Sequence, residues 1–158
     1  MSMKTILSTL IALFALLPVQ AMAQDANVSA PIVQFIAALN KGDMATARAT
    51  HLNDAVIIDE MSPYIWRGTD TFDAWIADVV KDATAKGLTG QTVELHKPSR
   101  TLVTGDSAYV IVPSTYRFKQ KGVAMVASTK MTFALRSTAT GWKIASWTWT
   151  GPDAKPAK

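Results

Sequence analysis

The second half of the chain reads as a run of strands, and no acidic residue occurs between Asp106 and Asp153. Residues 91–97, 107–118, 123–136 and 142–150 are rich in Val, Thr, Tyr and Trp, whose side chains fit a pleated, half-buried surface. Glycine-bearing turns, "TGD", "KQKG" and "TATG", separate most of these segments. Val123, Met125, Met131, Phe133 and Leu135 share one parity, which gives the third strand a single core-facing side. In the last strand, Trp147 and Trp149 share one face, while Trp142 and Ile144 share the other. Pro113 inside the second strand predicts a bulge or bend. A sheet with one apolar face must be covered, and the first half of the chain supplies the cover.

That half reads as helices. Ile32, Phe35, Ile36 and Leu39 recur at i, i+3, i+4 and i+7, with Ser29 as N-cap candidate, Pro31 in the first turn and Gly42 at the end. Asp43 is placed to cap a second, short helix over residues 44–52. Asp70 is placed to cap a third, where Phe72, Trp75, Ile76, Val79, Val80 and Ala83 form the best apolar stripe in the chain. The layout is α+β: three N-terminal helices packed on a strongly curved antiparallel sheet, a half-open cone whose mouth is a natural ligand cavity.

The ends bound the compartment. Lys4, the apolar run 5–19 and Ala21-Met22-Ala23 are the three parts of a secretory signal peptide cleaved after Ala23. The run is shorter than the roughly 20 residues of a membrane-spanning helix. The expectation is a periplasmic or secreted protein with no membrane contact after cleavage. Residues 24–29 read as a flexible lead-in, 30–150 as one domain and 151–158 as a disordered Pro/Lys tail. There is no cysteine, so disulfides and thiolate metal sites are excluded. The formal charge of +4, or +3 without Lys4, is too small to argue for nucleic acid. Arg117, Lys119, Lys121, Lys130, Arg136 and Lys143 fall in the acid-free stretch. They read as a solvated sheet face and loop tips, with an anionic partner as the alternative.

Chemistry concentrates in "AVIIDEMSPYIWRG", residues 55–68. A buried β-branched run ends there on Asp59 and Glu60, and Tyr64, Trp66 and Arg67 follow. Asp59 and Glu60 point to opposite strand faces, so Asp59 is the inward candidate and Glu60 its solvated neighbour. His51 reads as a surface or helix-end residue and His96 as solvent-facing. Two unclustered histidines do not make a zinc site, and neither a phosphate loop nor a nucleophile elbow occurs. No metal and no cofactor are expected.

"FIAALNKGDMATARATHLNDAVIID", "WRGTDTFDAWI" and "GWKIASWTW", taken in order and spacing, resemble the NTF2-like superfamily, in its SnoaL-like, ketosteroid-isomerase-like branch. The resemblance covers residues 30–150. It implies an NTF2-like cone that often dimerises through the outer sheet face, and no single chemistry. It also implies a general base at Asp59, from the match of Asn53-Asp54-Ala55-Val56-Ile57-Ile58-Asp59 to the family's Asp-Ala-x-x-x-Asp pattern. The family's oxyanion hole uses a helix Tyr and a late-strand acid. Here those positions fall on Phe35 and near Thr129 to Met131, with no carboxylate from 107 to 152. Loss of one such donor costs on the order of 10² to 10³ in rate, so loss of both argues against steroid isomerisation.

Phe35, Asp59, Tyr64, Trp66, Tyr116 and Met131 are the expected pocket residues, around a small apolar or aromatic ligand. The reading is an exported, homodimeric domain that binds such a ligand or serves as an association module. The alternative is a cofactor-independent isomerase, cyclase or lyase with Asp59 as base.

Overall fold

A computed structural model describes the backbone of residues 17–158 and the side chains from Val28 onward. The leader expected over residues 1–23 lies outside the fully described residues. Among the described residues, no helix is long and apolar enough to cross a membrane.

Helix α1 (Leu17–Lys41) begins well before Ser29. The lead-in expected at 24–29 is helical instead, so Ser29 caps nothing and Pro31 stands inside the helix. Proline there removes one backbone hydrogen bond. Complete burial of Val28 and near-complete burial of Ile32 on either side hold the helix through it. Phe35 and Ile36 continue the buried stripe, and Gly42, at φ 73°, ends it by donating to the Leu39 carbonyl at 3.0 Å. The Asp43 carboxylate caps α2 (Met44–Ala49) by accepting from the Thr46 N–H at 3.0 Å. This helix stops three residues short of the expected end, because His51 already opens strand β1 (His51–Ile58).

After the short β2 (Ile65–Trp66), α3 runs over Thr71–Lys86. Asp70 precedes it but does not cap it. Asp70 is left-handed at φ 61°, and its side chain accepts no cap bond. The Thr71 hydroxyl closes the turn instead, donating to the Gly68 carbonyl. Phe72, Trp75 and Ala83 are buried, whereas Val80 is 60% exposed and leaves the stripe.

The remaining strands are β3 (Leu88–Leu95), β4 (Arg100–Thr104), β5 (Ser107–Gln120), β6 (Val123–Thr138), β7 (Gly141–Thr150) and β8 (Lys155–Pro156). They join β1 and β2 in one sheet of order β2-β1-β7-β6-β5-β3, with β4 on β5 and β8 on β6. The sheet is mixed rather than wholly antiparallel, since β1 runs parallel to β7. β1 follows a helix instead of a hairpin turn, so nothing in its connection obliges it to reverse against β7.

Two strand details depart from expectation. The β5–β6 ladder keeps one register from Ser107↔Arg136 to Gln120↔Val123, so Pro113 makes no bulge. Along the opposite edge of β5, β4 pairs as far as Ile111 and β3 begins at Ser114, so the missing N–H of Pro113 falls in the gap between them. The bulge lies in β7 instead: Ala134 pairs with Ser146 and Leu135 with Ile144, leaving Ala145 unpaired. One extra residue flips side-chain parity. Trp142, Ile144 and Trp147 are consequently all buried in one core, where alternation alone would divide them.

The tail expected to be disordered is bound. Met125 pairs with Pro156 and Val126 with Lys155, and the Ala157 N–H donates to the Ala124 carbonyl at 2.9 Å.

Candidate functional site: an open cone above Asp59

The helices do not fill the cone. A cavity of about 850 Å³ opens between α1, α3 and the concave face of the sheet. Its walls include Phe35 and Leu39 of α1, Trp75 and Val79 of α3, and Tyr116 and Met131 of the sheet. This volume lies in the range of small-molecule sites, whose walls combine apolar and aromatic side chains with polar groups that orient the ligand.

Asp59 is the polar group at the inner wall. The end of β1 delivers it, and backbone hydrogen bonding from the Asp59 N–H to the Tyr64 carbonyl closes the turn behind it. Oδ2 accepts from the Trp75 indole N–H at 2.9 Å, and Oδ1 accepts from the Glu60 N–H at 2.6 Å. Burial raises the carboxyl above its ordinary range, the two donors oppose the rise, and the nearby charges of Glu60 and Asp82 add to it. No ion pair among the described residues includes Asp59.

Tyr116 lines the same cavity. Its hydroxyl donates to Gln91 Oε1, and its ring meets Trp149 edge-on at 5.5 Å. Burial pushes its phenol up to about 12, with the charges of Asp59 and Asp82 as further causes. Tyr116 therefore stays protonated at neutral pH, with its one O–H given to Gln91.

Phe35 occupies the cavity's inner end and cannot donate a hydrogen bond. It anchors an aromatic cluster with His51, Phe72, Trp75 and Trp147, at centroid distances between 4.7 and 6.4 Å. On the late strand, Thr129 and Met131 face the cavity, and the Thr129 hydroxyl is engaged with Ser114 at 2.8 Å. The two positions that carry oxyanion donors in the ketosteroid-isomerase pattern thus hold a phenyl ring and a threonine–methionine pair.

Four of the six expected pocket residues meet in this cavity: Phe35, Asp59, Tyr116 and Met131. Tyr64 and Trp66 do not. Tyr64 is 62% exposed at the tip of a turn whose preceding Ser62–Pro63 peptide is cis. Trp66 is buried between β2 and α3, where its indole N–H donates to Asp78 Oδ2 at 2.9 Å. Both belong to the excursion between β1 and α3, which turns away from the cone.

Two further residues departed from their sequence reading. His51 is 7% exposed, not at the surface; its Nε2 accepts from the Trp147 indole N–H at 3.0 Å, while Nδ1 lies 3.0 Å from the Ala47 carbonyl. Glu60 is not merely solvated, since Oε1 accepts from the Gly151 N–H at 2.9 Å. That contact brings the tail over the mouth, where Pro152, Asp153 and Ala154 join the cavity wall. His96 is exposed and bonded to the Thr115 hydroxyl. Among the described residues, no group of three His, Asp or Glu side chains is arranged to hold a metal.

This arrangement, a partly buried carboxylate facing a cone walled by aromatic rings beneath two helices, has a family. Residues 28–149 match the SnoaL-like domain, and the chain belongs to that family. Solved structures share its fold. A ketosteroid isomerase-like protein from Erwinia carotovora atroseptica is 22% identical, with a TM-score of 0.64 over 82% of this chain and 97% of that one. The hexachlorocyclohexane dehydrochlorinase LinA-type3 from Novosphingobium barchaimii is 12% identical, with a TM-score of 0.73 over 88% and 93%. An NTF2-like protein with a cystatin-like fold from Novosphingobium aromaticivorans is 15% identical, with a TM-score of 0.68 over 85% and 86%. At these identities the likeness is one of fold: the NTF2-like cone. Among curated proteins, none matches the chain.

Proposed function

We propose that the protein binds a small, largely apolar molecule in its cone, with Asp59 fixing the ligand's polar group. The observation that carries this is the cavity itself: about 850 Å³ of open space with Asp59, Tyr116 and an aromatic wall converging on it. A purely structural module would bring its apolar walls together, because unfilled apolar space forfeits packing. Titration with the neutral dye Nile red tests the reading. Saturable one-to-one binding, abolished by Val79→Trp in a variant of unchanged circular dichroism, is expected. Absence of saturable binding, or binding indifferent to that substitution, would overturn it.

A second reading is favoured by the raised Asp59 carboxyl. Such a group is a competent general base near its elevated pKa, and it opens onto the cavity. The reaction class is cofactor-independent proton transfer, as an isomerase, cyclase or lyase. Structural likeness to a dehydrochlorinase and to a ketosteroid isomerase-like protein supports it at the level of fold only. Asp59→Asn abolishes turnover of any substrate if this reading holds.

The export signal in the sequence supports a periplasmic or secreted site of action. Exposed Leu102 and Tyr109, paired across β4 and β5, support self-association through the sheet. Sedimentation of the mature chain distinguishes a dimer from a monomer.

A further inference from the structure

We infer that the cone's ligand is an organic cation, a protonated amine on an apolar body, with its charge at Asp59 and its body against the aromatic wall. The inference rests on the ligand-binding reading and narrows its chemistry.

Charge is segregated. The chain as a whole is basic, at a formal +4, yet its cavity is not. Asp59, Glu60, Asp82 and Asp153 line it against Lys41 and Lys86. Lys86 pairs with Asp82 at 2.9 Å, one turn away on α3, so those two charges offset and Asp59, Glu60 and Asp153 stand against Lys41 alone. The four carboxylates arrive from three separate parts of the chain: the end of β1, α3 and the tail.

Asp59 is also incompletely matched. Each of its oxygens accepts one N–H, from Trp75 or Glu60, and an ionised carboxylate can accept about four such bonds. No ion pair among the described residues supplies a countercharge. Asp59 is partly buried and opens onto the cavity, so a ligand ammonium there would meet a carboxylate with acceptor capacity to spare.

The surrounding surface suits a cation as well. Trp75 meets Trp147 edge-on at 4.9 Å and Tyr116 meets Trp149 edge-on at 5.5 Å, and all four rings belong to the wall of the cavity that holds Asp59. Faces of Trp and Tyr attract ammonium groups, most strongly where water is excluded. The negative field of Asp59 and Asp82 is felt at Tyr116, whose phenol it helps hold in the neutral form. An anionic ligand would meet that field as repulsion, and a neutral one would draw no attraction from it.

The test is a matched pair of probes, 1-naphthylmethylamine and 1-naphthylmethanol, titrated calorimetrically into the protein at pH 7. The amine is expected to bind at least about tenfold tighter, about 1.4 kcal/mol. In Asp59→Asn, checked for native near-ultraviolet circular dichroism, the preference should collapse toward one. Equal binding, or tighter binding of the alcohol, overturns the cation assignment and leaves the ligand-binding reading standing. A preference that survives Asp59→Asn also overturns it. If neither probe binds, the cavity reading falls and the assignment falls with it. The wild-type comparison needs no substitution, so it decides the matter even if the variant does not fold.

Discussion

The indole N–H of Trp75 donates to Oδ2 of Asp59 at 2.9 Å, tying the covering helix α3 to the acid at the end of β1. The same indole packs edge-on against Trp147 of the last strand at 4.9 Å. One side chain therefore sets both the orientation of the carboxylate and the roof of the aromatic wall.

Trp75→Phe keeps most of the ring and removes the donor. The bond favours the ionised carboxylate, so the Asp59 pKa should rise further in the variant, as read by carbon NMR titration of the side-chain carboxyl. Loss of a hydrogen bond to a charged group also predicts about 1–3 kcal/mol lower stability in urea. An unchanged or lower Asp59 pKa would show that the bond does not govern the carboxyl. Linkage gives a related sign. Folding raises the Asp59 pKa, so its stabilising contribution is full below 3.8 and is lost as pH rises through the folded value. The stability of Asp59→Asn relative to wild type should therefore improve between pH 3.8 and pH 7.

His51 predicts the opposite pH dependence. Burial lowers it from 6.5 to about 4, against the Ala47 carbonyl that raises it and beside Lys143 that lowers it. A depressed histidine contributes stability above 6.5 that is lost as pH falls toward 4, on the order of 3 kcal/mol in total. Urea unfolding at pH 7 and pH 4 should show this loss in the wild type and a clearly smaller one in His51→Gln. Parallel losses in both proteins would assign the acid sensitivity to the carboxylates.

Gly151 is where the tail crosses the sheet. A Cβ built there stands 2.7 Å from Thr129 Cγ2, closer than side chains approach. Gly151→Ala should lower stability by about 1–3 kcal/mol through overpacking. Thr129→Ser removes the offending methyl and keeps the hydroxyl that meets Ser114, so the double variant should recover most of the loss. Additive losses would mean that the clash is absorbed elsewhere.

Local patterns in the sequence carried much of this architecture. The stripe of α1 put Phe35 inward, the alternation of β6 put Met131 and Phe133 inward, and the β-branched run of β1 delivered Asp59 to the cone. What escaped was set by distant partners. His51 is buried by Trp147, 96 residues away, and no local pattern marks it. The β7 bulge changed the face of Trp142 and Ile144 relative to Trp147, and an unpaired alanine leaves no compositional trace. Tyr64 and Trp66 looked like pocket residues because they follow Asp59 closely, yet the turn carries them away from it. The Pro/Lys tail looked disordered because its side chains are polar, whereas backbone pairing on β6 holds it.

The central claim is that the cone is a ligand cavity organised around Asp59. A crystal structure of the purified protein tests it most directly. The account predicts an open cavity close to 850 Å³, with a bound small molecule placing a polar group within hydrogen-bond reach of Asp59. A cone filled by Trp75, Trp147 and Trp149, with no room beside Asp59, would contradict it.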